Sequence, residues 1–83
     1  MFFVYAIQSL SKNRVYIGHT KDLDERLDYH NSGYVKSTSS DIPWRLVAYQ
    51  EFNNRSEARW LEQKLKKSKG RRNKWIEENR TEY

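Results

Sequence analysis

Arg14-Val15-Tyr16-Ile17-Gly18-His19-Thr20, followed at once by Lys21-Asp22-Leu23-Asp24-Glu25-Arg26-Leu27-Asp28-Tyr29-His30-Asn31, is the stretch around which the rest of the chain organises. It reads as a short strand, Arg14 to His19, and then a helix from about Asp22 to His30. Asp22-x-x-Glu25 resembles a capping box with Asp in the Ser position, and both acids suit the positive end of the helix dipole. Leu23 and Leu27 form the apolar stripe, and Gly33 falls where a left-handed residue ends a helix. Arg26 and His30 are four residues apart, so one helix face carries a fixed cation beside a titratable imidazole.

Upstream, Phe2 to Gln8 (Phe-Phe-Val-Tyr-Ala-Ile-Gln) is β-rich, and Ser9 to Asn13 is a turn. That link is too short for a parallel crossover, so the two strands should form an antiparallel hairpin. A four-residue turn would pair Tyr5 directly with Tyr16 on one face, whereas a one-residue slip would separate the phenols. The sequence leaves this register open.

Downstream, the Ser/Thr-rich stretch from Tyr34 to Trp44, broken by Pro43, is a long connection of the kind that tends to carry function. Arg45 to Phe52 is the third strand. Asn53 or Asn54 then caps a helix from about Arg55 to Lys67, with Ala58, Leu61 and Leu65 as its buried stripe. Gly70 interrupts a basic run, and Arg72 to Asn79 forms a short last helix holding Trp75 and Ile76 against the body. The order β-β-α-β-α-α gives a small α/β (α+β) domain, a three-stranded, mostly antiparallel sheet flanked by helices. We expect one domain over 1–83, with a core of about 2–69 and a basic helical extension of about 70–83.

Eighty-three residues allow one modest core, and the absence of cysteine excludes disulfides and thiolate zinc sites. Three Trp, six Tyr and three Phe supply much of the apolar area. No basic n-region, long apolar run or cleavage site follows Met1, so the expectation is a soluble, intracellular (cytoplasmic) protein without a membrane span. The net charge of +5 is concentrated between Lys64 and Lys74, where seven bases stand without an acid. Such clustering attracts polyanions by counterion release. Its plain alternative is a solvated helix end that favours the C-terminal dipole.

Five side chains could carry chemistry. Glu62 lies four residues after Ala58 and three before Leu65, beside the apolar stripe, where a carboxylate needs a partner or a metal. Alternatively it pairs with Lys66 at the helix flank. Arg26 could pair with Asp22, and His30 could serve only the helix C-terminus. Tyr5 and Tyr16 could be sheet aromatics with their hydroxyls at the rim. Rival chemistries fit poorly: without cysteine only His19 and His30 are available to zinc, composition leaves a Ser-His-Asp site open but there is no Gly-x-Ser-x-Gly elbow, and there is no Gly-rich phosphate loop.

Phe3-Val4-Tyr5, Tyr16-Ile17-Gly18, Arg26-x-x-x-His30-Asn31 and Glu62, in that order, resemble the GIY-YIG nucleases. The likeness is to their small single-domain members and to the nuclease domain of structure-specific endonucleases that act on branched DNA. It runs from Phe2 to about Lys69, with Phe3 standing where the family has its first glycine. The resemblance implies a metal-dependent DNA endonuclease working through one Mg²⁺ or Mn²⁺, with a role in DNA repair or recombination. It implies that Glu62 holds the metal and that Tyr5 takes the proton of the attacking water. A free tyrosine titrates near 10, so that role calls for nearby positive charge. Arg26 would stabilise transition-state charge, and Tyr16 and His30 would position water or assist proton transfer. Gly18 and Asn31 would shape the site. Charge alone adds Lys36, Lys64, Lys67, Lys69, Arg71 and Arg72 as nucleic-acid contacts. DNA is the expected partner, with RNA, a protein partner and a homodimer left open. The alternative is a nucleic-acid-binding module of the same fold that cuts weakly or not at all.

Overall fold

A computed structural model describes residues 1–81; the last two residues of the expected basic extension lie outside the described residues. Three strands, β1 (Phe2–Ser9), β2 (Val15–Thr20) and β3 (Trp44–Phe52), form one sheet in the order β2-β1-β3. Both pairings are antiparallel, with β1 in the centre. Helix α1 (Leu23–Asn31) follows the hairpin, and α2 (Arg55–Lys67) and α3 (Lys69–Glu78) follow β3. The fold is the expected α+β arrangement.

Strand alternation sends β1 side chains to two different surroundings. Val4, Ala6, Ile17, Val47 and Ala48 pack with Ala58 and Leu65 of α2 and Trp75 and Ile76 of α3 in the main apolar core. Tyr5, Ile7, Trp44 and Leu46 form a second cluster, against which Tyr16, Leu23, Leu27 and Tyr49 pack. A register shift between Ala6 and Ile7 marks a bulge in β3, and Val47 and Ala48 both belong to the main core. Full burial of a side chain such as Leu65 contributes about 2 kcal/mol.

The helix starts are local in origin. Asp22 accepts from the Glu25 N–H at 3.0 Å, and Asn54 from the Glu57 N–H at 2.9 Å. Each such cap contributes about 1 kcal/mol. The last helix departs from expectation. It begins at Lys69 rather than Arg72, because Ser68 ends α2 and also caps α3 through the Arg71 N–H at 3.2 Å. Gly70 therefore lies inside the first turn of α3 instead of interrupting the run. Gly33 does adopt the left-handed conformation, with φ of +87°. The connection to β3 contains one 3-10 turn, Ser39–Asp41, whose Asp41 carboxylate pairs with Arg14 and, at 3.3 Å, with Lys12. This ties the connection to the β1–β2 hairpin.

Candidate active site

The hairpin register places Tyr5 opposite Gly18, and Ile7 opposite Tyr16. Direct pairing of the two phenols, one of the two registers considered, is therefore not what forms. The β-ladder closes with Gln8 opposite Val15, and the Ser9 N–H bonds the Arg14 carbonyl. A two-residue displacement preserves the face, so the two rings still lie together, with centroids 6.4 Å apart. The glycine has a packing reason. A Cβ on Gly18 would stand 2.5 Å from the Tyr5 hydroxyl and 2.7 Å from its Cζ, so only glycine lets this phenol lie across β2.

Helix α1 delivers His30 to the phenol. His30 is 1% exposed, and its Nε2 lies 2.8 Å from the Tyr5 hydroxyl. Its Nδ1 lies 2.9 Å from the Thr38 hydroxyl, which itself donates to the Val35 carbonyl at 3.3 Å. With its hydrogen so used, Thr38 accepts from Nδ1–H, which leaves Nε2 to accept the Tyr5 O–H. Burial, reinforced by the charge of Arg26, depresses the His30 pKa from 6.5 to about 4. The imidazole is neutral at ordinary pH. It is not a mere helix-end charge, and the Tyr16 ring meets it edge-on at 4.9 Å.

Tyr5 differs from the expectation for a ready base. Burial raises its pKa, and neighbouring Tyr16 and Glu62 add to the rise. The Arg26 charge acts in the lowering direction that the role requires, but burial outweighs it. In the protein alone the phenol is a neutral hydrogen-bond donor.

Glu62 reaches the site from α2. The His19 Nδ1–H donates to Oε1, and the Lys66 ammonium donates to Oε2 at 2.8 Å. Burial pushes the carboxyl upward, yet hydrogen bonds and charge from Lys66 and His19 prevail and hold it below its usual range. The i,i+4 pair with Lys66 thus exists, but as half of a two-sided grip. Lys66 also lies 5.7 Å from the centre of the Tyr16 ring, linking α2 to β2. Arg26 forms no ion pair with Asp22 among the described residues; it lies 5.7 Å from the ring of Tyr29. Together with Phe2, His19, Lys21, Tyr29 and Arg55 it lines an open groove of about 580 Å³.

Asn31 acts through the backbone. Its amide donates to the Trp44 carbonyl at 2.9 Å and accepts the Trp44 N–H at 2.6 Å, fixing the end of α1 against β3. The basic residues are distributed elsewhere. Lys36 is exposed in the long connection, Lys64 lies 5.4 Å from the Trp60 ring, and Lys67, Lys69 and Arg71 are exposed around the α2–α3 corner. Arg72 is half-buried, and its Nε has no hydrogen-bond partner among the described residues.

Two residues of the site escaped the sequence reading. His19 contacts Glu62 across 43 positions, and the available signal was its place directly after Tyr-Ile-Gly. Thr38, fully buried, sat in a polar stretch without periodicity.

No group of three or more His, Cys, Asp and Glu able to enclose a metal occurs among the described residues. Glu62 alone still fits a magnesium-type ion. An ionised carboxylate offers about four lone-pair positions, of which His19 and Lys66 take two, and magnesium retains most of its waters. Among the described residues no helix is long and apolar enough to cross a membrane.

Comparison with known proteins accords with this fold. The family model described as "GIY-YIG catalytic domain" matches residues 1–78. The chain is 38% identical over 69 residues to the UPF0213 protein YsiG of Lactococcus lactis subsp. lactis (strain IL1403), covering 77% of this chain and 65% of that relative. It is 36% identical over 89 residues to a UPF0213 protein of Lactococcus lactis subsp. cremoris (strain SK11), covering 98% and 90%. A UPF0213 protein of Streptococcus pneumoniae serotype 4 is 42% identical over 55 residues, covering 65% of this chain and 56% of the relative. No solved structure matches. GIY-YIG domains are typically nuclease domains and generally depend on a divalent metal. With the family model spanning nearly all of its length, the chain belongs to the GIY-YIG family, alongside the small UPF0213 proteins.

Proposed function

We propose that this protein is a divalent-metal-dependent endonuclease that hydrolyses phosphodiester bonds of DNA. The observation that carries the reading is the hydrogen bond between Tyr5 and a buried, neutral His30, set within the electrostatic reach of both Arg26 and Glu62. Such a chain of groups has a use in hydrolysis that a binding surface does not need.

Glu62, with water and a substrate phosphate completing the shell, would hold Mg²⁺ or Mn²⁺. When bound, such an ion supplies Lewis-acid charge at a phosphoryl oxygen. The chain's own residues do the rest. The Tyr5 oxygen accepts a proton from the attacking water while its own O–H proton passes to His30 Nε2. A neutral phenol can therefore serve without first ionising. The water oxygen forms the new bond to phosphorus, and the bond to the leaving oxygen breaks with its electron pair staying on that oxygen, which takes a proton from solvent. Arg26 offsets the negative charge that accumulates at the phosphoryl oxygens. Thr38 holds His30 in the accepting tautomer, and Tyr16 packs against both rings to fix their orientation. The exposed cations Lys36, Lys67, Lys69 and Arg71, with Lys64 and Arg72, supply phosphate contacts outside the groove. We assign the whole chain to one nuclease domain with a role in DNA repair or recombination.

The test is cleavage of labelled duplex, flap, branched and single-stranded DNA with Mg²⁺ or Mn²⁺, beside EDTA and Glu62→Ala. Metal-dependent cutting that falls to background in the variant, with DNA binding retained, is the expected result. Folded protein that binds every substrate and cuts none would instead favour the binding module.

A further inference from the structure

Helix α1 ends in an arrangement that hydrolysis does not require. Ser32 hydrogen-bonds back to the Tyr29 carbonyl at 2.6 Å, Gly33 takes its left-handed turn, and the Tyr34 N–H bonds the Ser32 hydroxyl at 3.3 Å. The turn brings the Tyr34 ring over Tyr29, with centroids 5.9 Å apart and planes 23° from parallel. Both rings face solvent, Tyr29 at 47% and Tyr34 at 78% exposure. A built turn that presents a stacked aromatic pair to water, on a chain whose other large side chains mostly seek the sheet, calls for an occupant.

The surroundings say which. Tyr29 is a wall of the same groove as Arg26, with the guanidinium 5.7 Å from its ring. Lys21 and Arg55 lie over Phe2 in that groove, at 5.7 and 5.2 Å, and exposed Lys36 follows Tyr34 by two residues. Cations for a backbone beside an open aromatic face match a nucleotide whose base is out of its stack. The spacing also fixes the mode. At this separation the two rings already stack on each other, so a base is received on the outer face of Tyr34, the more exposed ring.

We infer that Tyr34, braced by Tyr29, is a stacking platform for an unpaired nucleobase adjoining the phosphate that Arg26 contacts. The inference rests on the proposal that the groove takes nucleic acid, and it assigns one contact within that site: an unpaired base next to the cut lies on the ring of Tyr34. Perfect duplex, whose bases are already stacked on one another, gains nothing from the platform.

The test is equilibrium binding in EDTA, at fixed salt, of a single-stranded oligonucleotide carrying one 2-aminopurine, beside blunt duplex. Wild-type protein and Tyr34→Phe are compared with Tyr34→Leu and Tyr29→Leu. The wild type and Tyr34→Phe should change 2-aminopurine fluorescence and bind the single strand equally. Tyr34→Leu should weaken single-strand binding about tenfold, the effect of one lost stacking contact, and leave duplex binding unchanged. Unaltered single-strand binding by both leucine variants, or an equal loss on duplex, would overturn the platform. Because EDTA prevents metal-dependent cutting, this result is independent of whether the protein proves to be a nuclease. Absence of cleavage with normal base stacking would sink only the catalytic proposal.

Discussion

The two sides of the sheet are built from the same strands yet differ in kind. On β1, Val4 and Ala6 turn into an apolar core shared with α2 and α3, whereas their neighbours Tyr5 and Ile7 turn into a cluster with polar tips. The first side holds Ala58, Leu65, Trp75 and Ile76. The second holds a phenol whose hydroxyl bonds a buried imidazole. Alternation every second residue lets one strand serve the apolar core on one side and the proposed active site on the other. Glu62 joins the two regions, since it rides on the helix that covers the apolar side.

If that division is real, damage to each side should have a different signature. Ile76→Ala removes a side chain buried in the apolar core and should cost about 2–5 kcal/mol of stability. Its cleavage rate per folded molecule should stay near wild type, as urea unfolding paired with cleavage kinetics would reveal. Gly18→Ala attacks the other side. Its Cβ would meet the Tyr5 hydroxyl at 2.5 Å, forcing a packed ring to move. Overpacking of this kind costs about 1–3 kcal/mol, and the displaced phenol should take the cleavage rate down with it. A Gly18→Ala protein that is stable and fully active would remove the proposed reason for glycine in Tyr-Ile-Gly.

The smallest effect is one of pH. His30 has a folded pKa of about 4 against an ordinary 6.5, so the unfolded chain binds its proton first as the solution is acidified. Stability from keeping this imidazole neutral is complete above about pH 6.5 and declines as pH falls towards 4. The urea midpoint should therefore drop between about pH 7 and 5, above the range where the depressed carboxyls of Asp41 and Glu62 take up protons. A flat midpoint across that interval would argue against a buried neutral His30.

What the sequence revealed follows the range of the interactions involved. The bounds of α2 and the start of α1 were legible because Asn54 and Asp22 act within one turn. The beginning of α3 was not, because Ser68 serves two helices and Gly70 looked like a break. Hairpin register depended on how many residues the turn absorbs, so neither Tyr5 opposite Gly18 nor the face shared by the two phenols could be read from patterning. The motif residues were nameable in order, but of their partners only Lys66, one turn from Glu62, was. His19 with Glu62 and His30 with Thr38 are long-range contacts that leave no periodic trace. The depth of Tyr5, and hence its raised pKa, likewise appears only once α1 closes over the sheet.

The most direct measurement is the metal-dependent cleavage rate of Tyr5→Phe, taken where unfolding curves show wild type and variant fully folded. Removing one hydroxyl leaves the ring packing in place and deletes only the proton path to His30. The expected outcome is a rate lower by about 10²–10⁴-fold with DNA binding intact. A folded Tyr5→Phe protein that cuts as fast as wild type would contradict the assignment of the chemistry to this face of the sheet.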